Sequence, residues 1–519
     1  MRLFARIGVV MLVFPLALSV AAASDALPRP PELEPAVGFW KRIYTDVDSD
    51  HGLIHDRRHL GRVYEKVHIP RDQLAPERRH QRDTAKDRIR EVLRALAAQD
   101  GEARTAEQGR IRNLFPDDAE PADFAAATDR LRFQRGLSDR FKAGYERSGR
   151  WYDHIRETLR DHDVPPEVAA LPHVESSFRA DVTSHAYAVG LWQFTRIGAT
   201  DFMRVDHIVD ERRDPWRATE GAAELLAHGY ERLGDWALAI TAYNHGIVGM
   251  KRAAKAVGER SIARIIEDYD GRNFGFASRN FYPAFLAAVD VDRNAQKYFA
   301  DVERIEPPEL VTVPVPHFTE ATALTKALPG SAERLRQLNR ALGEAVWSGR
   351  KYVPEGYEMR VPADDPAVVR TAMKQVPLSR RFTAQRPDRK HRVERGQTLS
   401  GIAQRYGVSV NALVAANNLS NEDYLRQGQV LRLPMAGKQP VSIAAKRGEG
   451  GSGTTAGGSY TVQSGDTLSV IADRVGVSVE RLSRLNAIDD PHSIRAGETL
   501  KTGEPTSLSQ AGDTNDDEG

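Results

Sequence analysis

Glu175 is a carboxylate where helical periodicity asks for an apolar side chain. It lies in the run Pro165-Pro166-Glu167-Val168-Ala169-Ala170-Leu171-Pro172-His173-Val174-Glu175-Ser176-Ser177-Phe178, with Val168, Leu171 and Phe178 at i−7, i−4 and i+3 from it. That spacing predicts a helix over Pro166–Ser177 with the acid on the apolar face. An unpaired carboxylate on such a face raises its pKa and keeps its proton. A carboxylic acid held neutral in an apolar cleft near pH 7 is equipped to act as a general acid.

Three clusters downstream carry groups that could hold a substrate against such an acid. Gly190-Leu191-Trp192-Gln193-Phe194 offers a glycine for close approach, an indole and an amide. Ala242-Tyr243-Asn244-His245-Gly246 places a hydroxyl and an amide at a predicted helix end, and Tyr282 lies in Arg279-Asn280-Phe281-Tyr282-Pro283. Aromatic rings and amides suit sugars, whose C–H faces stack on rings while hydroxyl and acetamido groups take hydrogen bonds. Any one of these clusters alone reads more readily as core or surface packing. The nearest downstream carboxylate, Asp181, sits in a polar stretch and reads as a turn former or helix cap. His173 stands two positions before Glu175, and residues i and i+2 of a helix do not face each other, so it reads as packing. No His-Glu-x-x-His or comparable cluster surrounds His173, His185 or His245, so neither a metal nor another cofactor is expected.

The elements that must position these residues are helical. Between about 140 and 300, helices are predicted at Trp151–Asp161, Pro166–Ser177, Arg217–Arg232, Trp236–Asn244 and Arg279–Val289, with Pro166 in a first turn and Gly246 as a left-handed cap. Upstream, 24–140 opens with Pro28, Pro30, Pro31 and Pro35 and continues as charged, helix-favouring sequence. Its clearest signal is the amphipathic stripe of Ile89, Val92, Leu93 and Leu96. It reads as a helical region with no chemistry of its own.

The chain has 519 residues, too many for one ordinary core. Its 73 Lys and Arg nearly balance 72 Asp and Glu, for a net charge of +1, and the signs are interspersed. That argues against a nucleic-acid partner. Arg2 and Arg6, the apolar stretch Ile7 to Leu18 and Ala21-Ala22-Ala23 predict an export leader over 1–23. With no cysteine there are no disulfides, no thiolate chemistry and no cysteine-linked lipid anchor.

The last third contains a repeat. Shifting by 69 positions superposes 391–434 on 460–503 without a gap, with about 17 of 44 positions identical. The shared skeleton is Val-x-x-Gly-x-Thr-Leu-Ser-x-Ile-Ala, Arg-x-Gly-Val-Ser-Val-x-x-Leu, Asn, and Arg-x-Gly-x-x-Leu. It predicts strand, helix, helix, strand, with Thr398 and Thr467 as N-caps. A Gly/Ser-rich linker over 435–459 tethers the two units, an arrangement suited to avidity for a long polymer. A worn third copy is expected over 311–362, within a connector over 301–385, and 504–519 reads as a disordered acidic tail.

In this order Glu175-Ser176, Gly190-Leu191-Trp192-Gln193, Ala242-Tyr243-Asn244 and Tyr282 closely resemble the lytic transglycosylases with a goose-type lysozyme-like SLT domain, in particular the murein transglycosylase D type. The repeats resemble LysM modules through Gly465-Asp466-Thr467-Leu468-Ser469 and the variant Gly396-Gln397-Thr398-Leu399-Ser400. The resemblance implies a multidomain protein: a mainly α lysozyme-like catalytic domain over 141–300 and small α+β (βααβ) LysM modules over 391–434 and 460–503. It implies a periplasmic enzyme acting on the GlcNAc–MurNAc strands of peptidoglycan, in association with the cell wall or outer membrane. Glu175 would protonate the glycosidic oxygen and then, as carboxylate, take the proton of the muramyl C6 hydroxyl, giving a 1,6-anhydro product. Ser176 would orient the acid or an acetamido group. Gln193, Tyr243 and Asn244 would line sugar subsites, and Tyr282 would point its hydroxyl at the acid. The alternatives are a hydrolytic muramidase and a wall-binding scaffold without activity.

Overall fold

The computed structural model describes residues 27–502, apart from 395, 407, 420–424, 435–439, 445–453, 456–458, 463–465, 476–478 and 489–493. The predicted leader, most of the 435–459 linker and the 504–519 tail lie outside the described residues. The chain divides into two compact units, one running to Leu310 and including Glu333–Ala345, the other comprising Val311–Ala332 and Val346 onward.

The first unit begins with α1 (Glu34–Thr45), which buries Val37, Phe39, Ile43 and Tyr44. Next come β1 (His51–Asp56), β2 (Val63–His68), α2 (Ala75–Ala98) and, after two short helices, β3 (Leu131–Arg135). The three strands form an antiparallel sheet in the order β2-β1-β3. This corrects the expectation of a helical 24–140 region. β1 is buried on both faces and so shows no polar–apolar alternation. Consecutive strand residues point to opposite faces. Leu53 accordingly joins the main core, and Ile54 joins a second core with Tyr64, Ile89, Leu93, Leu96 and Phe124. The predicted stripe on α2 is thus the cover of the outer face of this sheet.

The helical body follows as α3 (Ser138–Ser148), α4 (Tyr152–Asp161), α5 (Leu171–Glu175), α6 (Pro215–Leu233), α7 (Trp236–His245) and α8 (Phe276–Arg293). Capping chemistry sets its boundaries. The Asp214 side chain accepts from the Trp216 and Arg217 amides ahead of Pro215, and Gly234 closes α6 in the left-handed region. Asp235 then caps α7 through the Leu238 amide. Gly246 ends α7 with φ 82° but ψ 144°, so it is not the left-handed cap expected of it. α8 runs three residues further than predicted at its start and four at its end. It is buried almost all round, with Phe281, Tyr282, Phe285, Leu286 and Val289 in the main core, and α1 packs along it. Each such side chain contributes about 1.5–3 kcal/mol of burial.

In the second unit each repeat builds the predicted module. In the first, Lys390–Arg392 pairs antiparallel with Val430–Arg432 around helices Leu399–Tyr406 and Val410–Asn417. In the second, Ser459–Thr461 pairs with Thr499–Lys501 around Leu468–Val475 and Val479–Asn486. Thr398 Oγ1 accepts from the Gly401 amide and Thr467 Oγ1 from the Val470 amide, as N-caps do. The shared asparagine has a structural reason. Asn417 Nδ2 donates to the Arg432 carbonyl while its Oδ1 accepts from the Arg432 amide, clasping the second helix to the last strand. Asn486 does the same to Lys501. Within the linker, Thr454–Thr455 pairs with Ser459 and Tyr460, so this part of it is strand. Upstream, strand Leu310–Pro314 pairs with Glu358–Pro362, and helices Ala321–Ala327, Ala332–Leu338 and Glu344–Trp347 lie between them in sequence.

Candidate active site

The helix that carries Glu175 is short and composite. Pro166–Ala170 is 3₁₀ and only Leu171–Glu175 is α, ending with Ser176 as C-cap. Val168, Leu171 and Phe178 are fully buried, as the periodicity requires. Phe178, however, is not on the helix: Ser177 and Phe178 have φ of 51° and 55° and turn the chain back under it. The acid therefore stands at a helix C-terminus, where the partial negative charge of the backbone favours the neutral carboxyl.

Glu175 is partly buried in the wall of a cleft of about 770 Å³. Its carboxyl makes no hydrogen bond or ion pair among the described residues, and burial alone pushes its pKa up from 4.5 to about 8. The other carboxylate in the cleft, Asp139, accepts from the Ser49 amide and from Ser49 Oγ. Asp181 is exposed and lines a different cavity. The geometry thus holds one lone acid, poised to give a proton near neutral pH.

The predicted clusters converge by direct hydrogen bonds. Ser176 Oγ donates to the Leu191 carbonyl at 2.7 Å and accepts from the Arg179 amide, so it fixes the turn after the acid to the 190–194 loop. The Tyr243 hydroxyl donates to the Trp192 carbonyl at 2.7 Å, tying the end of α7 to the same loop. Trp192 is fully buried and donates from Nε1 to Thr219 Oγ1, which makes it the anchor of the loop rather than a sugar platform. Gln193 lines the cleft with Nε2 donating to the Gly190 carbonyl, and Asn244 lines it exposed, with Oδ1 accepting from Ser278.

The loop is tightly constrained. Gly190 has φ 80°, and a Cβ there would lie 2.0 Å from the Arg212 carbonyl oxygen. Four of the eight described non-glycine residues with positive φ fall between 177 and 193: Ser177, Phe178, Tyr187 and Gln193. Backbone strain of this kind, about 1–3 kcal/mol per residue, persists only where surrounding packing enforces it.

Tyr282 does not meet its expectation. It is fully buried on α8 and donates to the Pro28 carbonyl at 2.8 Å, so its hydroxyl is spent on holding the N-terminal segment. The aromatic hydroxyls within reach of the Glu175 charge are Tyr243 and Tyr44. Both have pKa values raised by burial first and by Glu175 second. Tyr44 and Trp40 come from one face of α1, four residues apart, and line the cleft together with Gln134 from β3 and Asn280 from α8. Sequence reasoning missed them because the 24–140 region holds no motif near them. The one legible signal was the i, i+4 pairing of two aromatics.

His173 is packing of an elaborate kind. Its ring stacks on Phe141 at 4.0 Å, and Nε2 lies 2.9 Å from Asp292 Oδ1. Asp292 also accepts from Arg304 Nη2 on both oxygens and from the Tyr152 hydroxyl at 3.3 Å, and the Arg304 guanidinium lies over the Tyr152 ring. Burial lowers the His173 pKa, opposed by Asp292. Among the described residues no group of three or more His, Asp or Glu side chains is arranged to hold a metal.

Comparison with known proteins agrees with this geometry. Residues 154–266 match the transglycosylase SLT domain, and residues 391–434 and 460–502 match the LysM domain. Glu175, Ser176, Gln193, Tyr243 and Asn244 fall inside the first match, and Tyr282 falls outside it. The chain is 27% identical over 359 residues to the membrane-bound lytic murein transglycosylase D of Escherichia coli K12, covering 67% of this chain and 74% of that one. It is 36% identical over 129 residues to the N-acetylmuramoyl-L-alanine amidase sle1 of Staphylococcus aureus RF122, covering 24% of this chain and 37% of that one. The chain therefore carries a transglycosylase SLT domain and two LysM domains, a multidomain protein with a mostly helical catalytic part and small modules with short antiparallel strands.

Proposed function

We propose that this chain is a peptidoglycan lytic transglycosylase that cleaves the β-1,4 bond between MurNAc and GlcNAc and is held on its polymer by the LysM modules. The observation that carries the reading is Glu175, a lone carboxyl with a pKa pushed up to about 8 in a cleft where Asp139, the other carboxylate among the described lining residues, is engaged by Ser49. Hydrolytic glycosidases use a pair of carboxyl groups, one of them to activate water or to attack the sugar. A single acid suffices when the nucleophile is a hydroxyl of the same sugar. Glu175 donates its proton to the glycosidic oxygen as the C1–O bond breaks and that oxygen keeps the bonding pair. The muramyl C6 oxygen forms the new bond to C1, and its proton returns to Glu175. No water is consumed and the acid is restored.

The remaining roles follow from position. Ser176 and Tyr243 fix the loop that presents Gln193, while Gln193, Asn244 and Asn280 offer amides to the sugars. Tyr44 and Trp40 supply aromatic wall. The enzyme acts in the periplasm after export on its leader, and no helix among the described residues is long and apolar enough to cross a membrane. The 311–362 segment, with its first and last strands paired, serves as a degenerate LysM unit.

Purified sacculi incubated with wild type should release 1,6-anhydromuropeptides, and Glu175→Gln should release none. Products heavier by one water, with a reducing end, would make the enzyme a muramidase. Pelleting with sacculi without soluble product would leave only a scaffold.

A further inference from the structure

The cleft that holds Glu175 is also lined by five arginines: Arg71, Arg132, Arg140, Arg147 and Arg179. They come from separate elements. Arg71 follows β2, Arg132 lies on β3, Arg140 and Arg147 are two turns apart on one face of α3, and Arg179 follows the acid. None of the five forms an ion pair among the described residues, whereas Arg88, Arg130, Arg212, Arg279 and Arg304 of the same unit each meet a carboxylate. Burial first, and then Arg71 and Arg179, lower the Arg140 pKa against Asp139, and burial and Arg179 lower that of Arg147 against Glu146 and Asp181. Arg71, Arg140, Arg147 and Arg179 therefore share one field, while the Arg132 guanidinium lies over the Phe276 ring. Arg147 Nε is buried without a hydrogen-bond partner, while its Nη2 donates to the Ser177 carbonyl beside the acid. Glu175, neutral near pH 7, does not offset this charge, and Asp139, which favours the Arg140 cation, is one carboxylate against five guanidiniums. A wall of guanidiniums, four of them on exposed residues, is complementary to planar, bidentate anions such as carboxylates.

We infer that this arginine wall selects peptidoglycan strands whose peptide stems carry free carboxylates, and so sets the substrate preference of the transglycosylase proposed above. The inference rests on that reading of the cleft. The polymer offers carboxylate from two sources. One is the stem, a short peptide amide-linked to the muramyl lactyl group and carrying several carboxylates. The other is the single lactyl carboxylate left when the stem has been removed. Guanidiniums spread over five sequence positions exceed what one carboxylate per disaccharide can engage, which favours the stem. A charge-assisted arginine–carboxylate contact in such a groove is worth about tenfold in kcat/KM.

The test uses the full chain on three sets of strands of equal length: acidic stems, the same stems with their carboxylates amidated, and denuded strands. Wild type should cleave the acidic-stem strands about tenfold or more better than the amidated ones. Salt should shrink that ratio. In the triple variant Arg71→Gln, Arg140→Gln, Arg179→Gln, three exposed positions, the ratio should fall toward one. Equal cleavage of acidic and amidated stems, or an unchanged ratio in the variant, overturns the inference. Denuded strands as the best substrate also overturn it, transferring the wall to the lactyl carboxylate. Anhydro products from all three sets at equal efficiency would leave the transglycosylase reading standing. No anhydro product from any set would remove that reading first.

Discussion

Replacing Glu175 by glutamine should stabilise the protein in alkali and leave it unchanged in acid. The wild-type carboxyl is moved from 4.5 to about 8 by burial alone. Between those values the folded chain keeps a proton that the unfolded chain releases. The stability associated with that proton is therefore present at pH 4.5 and below, and is lost as pH rises toward 8. The full displacement corresponds to roughly 5 kcal/mol, and water in the open cleft reduces it to about 2–3 kcal/mol. Glutamine has nearly the same shape and does not titrate. Urea unfolding followed by tryptophan fluorescence suits the measurement, since five of the six tryptophans lie in the first unit. At pH 5 the two proteins should agree within about 1 kcal/mol, and at pH 9 the variant should be more stable by about 2–3 kcal/mol. Wild-type kcat/KM on sacculi should fall as pH rises through about 8, where the folded acid loses its proton. An offset that is identical at pH 5 and pH 9 would mean that Glu175 titrates as an ordinary carboxylate, and the argument for a lone buried acid would fail.

Other perturbations test the scaffold. Gly190→Ala forces a Cβ against the Arg212 carbonyl at φ 80°, and should cost about 2–4 kcal/mol in chemical denaturation while lowering kcat through the Gln193 loop. Tyr282→Phe, which loses only the Pro28 bond, should cost about 1 kcal/mol with kcat changed less than about twofold. Tyr243→Phe, which frees the Trp192 carbonyl beside the cleft, should lower kcat about tenfold at similar stability cost. Asp292→Asn leaves Arg304 without its carboxylate and should cost about 3–5 kcal/mol, measured by urea unfolding at pH 7.

Much of the site was legible because its parts are local in sequence. Glu175 stood out as a charge in an apolar period, and Gly190 and the Ala-Tyr-Asn cluster marked the loop and the helix end that meet it. The LysM modules were legible to the level of single caps, since Thr398 and Thr467 act within their own first turns. What was misread had its cause elsewhere in the chain. β1 carries no alternation because both of its faces are covered, one by the helical body and one by α2. Tyr282 was assigned to the acid by resemblance, but its hydroxyl goes to a carbonyl 254 positions away.

An acid on an apolar helix, a sugar-suited set of loops and a repeated module are all legible in the chain alone, because periodicity, capping and repetition are properties of short windows. What surrounds the acid depends on contacts between distant segments and emerges only on folding. Burial at a helix end raises its pKa, Ser49 occupies the rival carboxylate, and Tyr44 replaces Tyr282 as its neighbour. The arginine wall is the clearest case. In a chain of net charge +1 its five members are scattered over more than a hundred positions, and they line one cleft only when the folded backbone brings them together.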